Sequence, residues 1–282
     1  MSKAIETTMA AIDYIEGRLP EKLDLETLAG AVHYSRYHLH RMFSHTVGLT
    51  PQTYIQRRRL TEVARLLAFS HEPILTVALL AGYESRQAFS DAFKTMYKKT
   101  PGQVRAEKAF YPLQLPYVLK PNPTAFEKER GWERRIVYAE NADIPAWMKL
   151  VPLVIDGFPC LNEKDCLEKL RESIANKCAL ILKDGDTAAG VMAFHERTGS
   201  IDFLAVHPQY RGRGIARALC QRLLERPLCP SAISITTFRQ GDKADTGYRR
   251  AFKALGFAEA EPLVEFGYPT QRFLLEKARV HE

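Results

Sequence analysis

Between Ser200 and Arg222 the chain reads SIDFLAVHPQYRGRGIARALCQR. A β-rich run ends at Val206, a short turn follows, and Arg211-Gly212-Arg213-Gly214-Ile215-Ala216 opens an amphipathic helical run. Glycines at a strand-to-helix turn let consecutive backbone N–H groups point the same way, and a helix N-terminus adds positive potential, so the pair makes an anion site. Arg211 and Arg213 add charge to it. A lone Gly-x-Gly is most often an ordinary turn, but here strand and helix flank it in the right order. The dinucleotide pattern G-x-G-x-x-G does not fit, because Arg217 stands where the third glycine belongs.

A second chemistry lies toward the other end. Ala31, Ser35, Arg36, Phe43, Thr50 and Pro51 recur 50 residues later as Ala81, Ser85, Arg86, Phe93, Thr100 and Pro101, with Leu39 matched by Phe89. Each copy reads as a short helix, a turn, a capped second helix and a Thr-Pro helix start, which is a helix-turn-helix present twice. In the first copy Leu39, Met42 and Phe43 share one face, and Arg36, Tyr37, His40, Arg41 and Ser44 the other. In the second, Phe89, Ala92 and Phe93 oppose Arg86, Gln87, Ser90, Asp91 and Lys94. Arg, Gln, Ser and His suit base edges and phosphates in a major groove. One such helix reads most simply as a solvated face; two in register point to DNA. A linking helix from Thr50 to about Ala68, carrying Arg57-Arg58-Arg59, could hold the two about one DNA turn apart, ~34 Å.

The elements that position these residues change character along the chain. Up to residue 108 the pattern is helical, with Asp24, Ser35 and Ser85 as N-cap candidates and Thr50-Pro51 and Thr100-Pro101 as cap-plus-proline starts. Residues 109–133 turn Pro-rich, aromatic and then charged, as a linker with a docking segment would. Residues 134–282 alternate β-rich runs (Arg135–Ala139, Ala179–Leu182, Gly190–Phe194, Ile201–Val206, Ala232–Thr237, Arg272–Leu275) with helical ones (Asp165–Asn176, Ile215–Glu225, Gly247–Leu255). Two domains are expected, all-α then α/β.

Residues 5–107 resemble the AraC/XylS family of transcriptional regulators. The text that carries it is LDLETLAGAVHYSRYHLHRMFSHTVGLTPQTYIQRRR and EPILTVALLAGYESRQAFSDAFKTMYKKTPGQVR. The resemblance is closest to the branch that binds double-stranded DNA as monomers through two helix-turn-helix units. It implies base contacts from Tyr37, His40 and Arg41 in the first unit and from Arg86, Gln87 and Ser90 in the second. Asp91 departs from the arginine frequent at its position; a carboxylate accepts from cytosine and is repelled by phosphate.

Residues 134–278 resemble the GNAT N-acetyltransferases. Arg211, Gly214 and Ala216 meet the pattern Arg/Gln-x-x-Gly-x-Gly/Ala, and GYRRAFKALGFAEAE fits a later helix with its Gly256-Phe257 ending. The resemblance implies a mixed sheet and acetyl-CoA as co-substrate. Backbone amides of residues 211–216 would hold the pyrophosphate, and Leu204, Ala205 and Val206 the pantetheine arm and acetyl carbonyl. It implies attack of an amine, on a small molecule or a protein, on the thioester. The family's usual acid, a tyrosine four residues before Gly-Phe, is here Phe252. Tyr248, one turn earlier, is either its substitute or a packing residue. Glu196, Asp202 and Glu265 are candidate bases. Asp202 is preferred as a lone acid in an apolar strand, with the parity of Leu204 and Val206; a solvated carboxylate is the competing reading.

Composition bounds the rest. With 46% hydrophobic and 26% charged residues the chain is neither disordered nor fibrous, and a formal charge of +7 permits a polyanionic partner. No run of 18 or more apolar residues spans a membrane, and residues 1–30 carry acids where a signal peptide would be apolar, so a cytoplasmic protein is expected. Five cysteines without C-x-x-C spacing argue against disulfides or structural zinc, and His38 and His40 need no metal. Trp147, with Met148, Leu150, Leu153 and Val154, fits a helix that lines an acceptor pocket or only packs. Two functions fit this reading: a regulator that also acetylates an amine, and a regulator whose second domain senses a ligand without turnover.

Overall fold

The computed structural model describes residues 3–108, 110–119, 131–154, 163–226 and 230–277. Cys160, Cys229 and, within the linker, residue 109 and residues 120–130 lie outside them. The described residues form two units, one ending before residue 120, the other built from residues 131–154 and those from 163 onward.

The first unit is all helix: α1 (Lys3–Gly17), α2 (Leu25–Ala31), α3 (Arg36–Val47), α4 (Pro51–Phe69), α5 (Ile74–Leu80), α6 (Arg86–Tyr97) and α7 (Pro101–Glu107). Asp24, Ser35, Thr50, Ser85 and Thr100 each cap the following helix, their side-chain oxygens accepting from the backbone N–H three residues on. Thr100 and Gln103 complete a reciprocal capping box. Leu39 and Phe43 on α3, and Phe89 and Phe93 on α6, are fully buried. Helix α3 packs on α1, α2 and α4, and α6 on α5 and α7. Three face assignments differ from expectation. Met42 and Ala92 are only half-buried, and Ser44 turns partly inward, its Oγ shut off from solvent.

At 19 residues α4 is about 28 Å long. Its arginine triplet faces the protein. Arg57, 1% exposed, donates to the Leu113 carbonyl (2.7 Å). Arg58 holds both Glu16 oxygens at 2.9 Å, Glu62 at 3.0 Å and the Gln114 carbonyl at 3.1 Å. Arg59 donates to the carbonyls of Leu19 and Glu21. The segment 110–119 lies against this helix. Thr61 Oγ1 accepts from the N–H groups of Leu113 (3.0 Å) and Gln114 (3.1 Å), and Tyr117 stacks on Tyr54 at 5.8 Å. A segment without regular structure can be buried here because α4 side chains satisfy its backbone.

The second unit is a mixed sheet of seven strands with four α-helices among the described residues. The strands are β1 (Val137–Tyr138), β2 (Ala179–Asp184), β3 (Thr187–Phe194), β4 (Ser200–Val206), β5 (Ala232–Phe238), β6 (Ala258–Glu265) and β7 (Tyr268–Glu276). They are ordered β1-β2-β3-β4-β5-β7-β6. The helices are α8 (Ile144–Val154), α9 (Glu163–Ala175), α10 (Ile215–Leu224) and α11 (Tyr248–Leu255), with α8 and α10 both against β3 and β4. Every neighbouring pair is antiparallel except β4 and β5. Those two run parallel and pair only at Ser200↔Ser234 and Ile201↔Ile235, so beyond Ile201 they part. Two expectations are corrected. The run Arg135–Ala139 begins on the last residue of a 3-10 turn (Trp132–Arg135) and holds only two strand residues, and β6 forms where the sequence pattern predicts no strand.

Candidate functional sites

The outer faces of α3 and α6 carry the residues expected to meet DNA. Tyr37 is 76% exposed, and Arg36, His40 and Arg41 are exposed beside it. Arg36 reaches Glu26 at 3.6 Å, but both side chains stand in solvent, where such a pair contributes little and is easily given up. On α6, Arg86, Gln87 and Asp91 are exposed and Ser90 is half-buried. Gln87 Nε2 lies 3.1 Å from each Asp91 carboxylate oxygen, and Ser90 Oγ donates to the Arg86 carbonyl at 2.8 Å. The first face is thus open and cationic, the second tied within its own helix.

The anion loop is built on a rigid base. His207 caps the 3-10 turn Pro208–Tyr210, its Nδ1 accepting from the Gln209 N–H at 3.2 Å. Tyr210 is buried and donates to Asp184 at 2.6 Å; burial, then that carboxylate, push its pKa up. Arg213 lies over the Tyr210 ring at 5.2 Å. Gly212 and Gly214 sit at φ +76° and +81°, a conformation side chains other than glycine resist, and a Cβ at either would meet nothing within 4 Å. Gly214 is the N-cap of α10 and offers no side-chain cap, so the first-turn N–H groups of Ile215, Ala216 and Arg217 have no capping acceptor from it. The loop therefore presents backbone donors and open space on one side, which fits a pyrophosphate.

Three supports of this geometry carried no motif: His207, Asp184 and Gly190. A Cβ on Gly190 would come 2.4 Å from Ile215 Cγ2, so β3 and α10 approach closely only because glycine is there. Its one signal was a small-residue run, Ala188-Ala189-Gly190, within a strand.

Leu204 and Val206 are half-buried on β4 and Ala205 is buried. Asp202 stands where β4 and β5 separate, one residue past their last pair. It is also skipped in the β3–β4 register, which goes from Ala193↔Phe203 to Phe194↔Ile201. This bulge corrects the parity expected for Asp202: Ile201, not Asp202, joins the apolar cluster against which Leu204 and Val206 pack. Asp202 Oδ2 is 3.0 Å from His195 Nε2. Asp202 is exposed, its side chain 45% open to solvent; its partial burial raises its pKa, His195 and Lys169 lower it, and Glu265 raises it further. Glu265 has one oxygen shut off from solvent without a hydrogen bond. Glu196 is instead held by Arg226, which also bonds Tyr138 Oη (3.0 Å) and the Lys177 carbonyl (2.9 Å).

Tyr248 is half-buried, with its hydroxyl 3.4 Å from the Val154 carbonyl, and Phe252 is buried in the core. Trp147 is 2% exposed and stacks on Phe203 at 6.3 Å. Cys220 and Cys178 are buried, and burial pushes the Cys220 thiol up to about 12. Among the described residues no group of three His, Cys, Asp or Glu could hold a metal ion, and no helix is long and apolar enough to cross a membrane.

Comparison with known proteins follows the same division. Residues 28–107 match the family model of a helix-turn-helix domain, and residues 147–257 that of the acetyltransferase (GNAT) family. The multiple antibiotic resistance protein MarA of Salmonella typhimurium is 37% identical over 99 residues, 35% of this chain and 78% of MarA. The transcriptional regulator Rob of the same organism is 38% identical over 92 residues, 33% of this chain and 32% of Rob. The match spans about a third of the length of the first curated relatives, Rob among them. A solved GNAT-family acetyltransferase from Bacillus cereus aligns with 51% of this chain and 97% of its own, at 18% identity and a TM-score of 0.40. The chain belongs to the AraC-type helix-turn-helix regulators, the family of MarA and Rob, and carries a domain of the GNAT acetyltransferase family in the same polypeptide.

Proposed function

We propose that this is a cytoplasmic transcriptional regulator that reads double-stranded DNA through residues 1–108 and, through residues 134–282, binds acetyl-CoA and acetylates an amine, with residues 109–133 joining the two. The reading of DNA rests on the exposed faces of α3 (Arg36, Tyr37, His40, Arg41) and α6 (Arg86, Gln87, Ser90).

The observation that carries the second half is the wedge between β4 and β5, which opens just past Ile201, together with the uncapped start of α10 behind Gly212 and Gly214. Backbone donors among residues 211–216 would hold the pyrophosphate, except the Arg211 N–H, which is given to the Pro208 carbonyl (3.3 Å), with the Arg211 and Arg213 side chains adding charge. The unpaired edge of β4 from Leu204 to Val206 would bond the pantetheine arm as a strand would. Acetyl-CoA supplies the activated acyl group. Asp202, at the apex of the wedge, takes the proton that the attacking amine must lose, and its raised pKa suits a proton acceptor better than an ordinary carboxylate does. Tyr248, its ring 6.3 Å from that of Phe252, is the candidate donor in place of the one that Phe252 lacks.

That last residue favours a second reading, a sensor. Phe252 cannot donate, and the Tyr248 hydroxyl already faces the Val154 carbonyl. One sample separates the two: thermal stabilisation by acetyl-CoA, then free-thiol release against a panel of amines. Stabilisation with release on one amine is the expected result. Stabilisation alone would make the domain a sensor, and no stabilisation would overturn acetyl-CoA binding.

A further inference from the structure

The two recognition faces differ in what they offer a base. On α3 the exposed polar groups are largely donors: the guanidinium groups of Arg36 and Arg41, and His40. On α6 the two side-chain donors at neighbouring positions, Gln87 and Ser90, are engaged within the helix itself. Gln87 Nε2 is equidistant, at 3.1 Å, from the two oxygens of Asp91. Only the amide NH2 can face a carboxylate, so this contact fixes the amide's orientation and turns Gln87 Oε1 away from it. The Ser90 hydroxyl hydrogen is directed to the Arg86 carbonyl. What remains at 87, 90 and 91 is mainly acceptor, with Gln87 Oε1, the Ser90 oxygen and the remaining lone pairs of Asp91 beside the second Gln87 amide N–H.

In the major groove adenine N6 and cytosine N4 present hydrogen-bond donors, whereas guanine O6 and thymine O4 present acceptors. An acceptor patch pairs with the first two and meets the others lone pair to lone pair. Arg86 and Lys94, exposed on the flanking turns, are the cations of this helix and suit phosphates on either side; Asp91 opposes them, so selectivity here comes at a cost in affinity. We infer that α6, through the Gln87–Asp91 pair, selects an amino base (adenine or cytosine) in its half-site, so that the operator is asymmetric, donor-read by α3 and acceptor-read by α6. This rests on the proposal that α3 and α6 enter DNA.

The test is selection of binding sites from randomised duplex DNA by the full chain, alongside Arg41→Ala, Asp91→Ala and Asp91→Asn. Arg41→Ala identifies the α3 half-site as the one it weakens. In the other half-site the unaltered protein should prefer adenine or cytosine at one position by roughly five- to tenfold. Asp91→Ala should erase that preference while tightening binding overall. Asp91→Asn, which keeps an acceptor and adds a donor, should discard cytosine and favour adenine, whose N6 donor and N7 acceptor an amide matches, a change that loss of helix structure would not produce. Replacing the selected base by its analogue without the exocyclic amine should weaken the unaltered protein several-fold and leave Asp91→Ala unchanged. A preference for guanine or thymine in the unaltered protein, no preference in that half-site, or one indifferent to both Asp91 substitutions would overturn the inference. If no sequence is enriched in either half-site, the DNA-reading proposal itself fails and takes this inference with it.

Discussion

Partial burial raises the pKa of Asp202, and Glu265 adds to the rise against the pull of His195 and Lys169. Two consequences follow with opposite signs. Acetyl transfer that needs the carboxylate ionised should slow as pH falls through this raised value, and Asp202→Asn should remove that acid limb and lower kcat on the order of 100-fold. Folding responds the other way. A folded state that holds the proton more tightly than the unfolded chain gains stability at low pH and loses it as pH rises through the folded pKa. Rate profiles and urea midpoints from pH 4 to 8, for both proteins, check both. Asp202 could be singled out in the sequence because an acid in an apolar strand is conspicuous by type. Its neighbour Glu265, far along the chain, comes near only through the β6–β7 hairpin. The triplet Arg57-Arg58-Arg59 shows the same limit: it reads as one basic stretch, yet its direction is set by Glu16 and by carbonyls more than 30 residues away.

Helix starts are local, and all five N-caps named from sequence are the caps observed. Each needs only a side-chain oxygen and an N–H three residues later. Thr100→Ala removes one half of the capping box before α7 and should lower the stability of the helical unit by about 1 kcal/mol, read as a shift in urea midpoint at constant slope. Strands are less local. β6 carries Glu259, Glu261, Pro262 and Glu265 and is mostly exposed, so it has no apolar alternation to read. It forms because β7 pairs with it and Arg249, Lys253 and Arg272 meet its carboxylates. The bulge at Asp202 is invisible for a related reason. A one-residue slip in register depends on how β3 and β4 meet, and it inverts any face assigned by counting in twos.

At the scale of the molecule the division into two grammars, helical then alternating, is what the sequence displays most openly, and the two units inherit it. Separate units should fail separately. Arg41→Ala should lower DNA affinity at least tenfold and leave stabilisation by acetyl-CoA intact. Gly214→Val, which forces a branched side chain into a φ of +81°, should do the reverse. Gel shift and thermal melting on both variants decide it, and loss of both activities from either substitution would contradict independence. The strand order has a further consequence, for synthesis. Because β7 lies between β5 and β6, the sheet cannot close until residues 268–276 have been made. Among the described residues, the helical unit is complete once residue 119 has emerged. At typical translation speeds that gap is on the order of ten seconds. Through that interval every newborn copy has a complete helix-turn-helix unit while its second domain is still an open sheet.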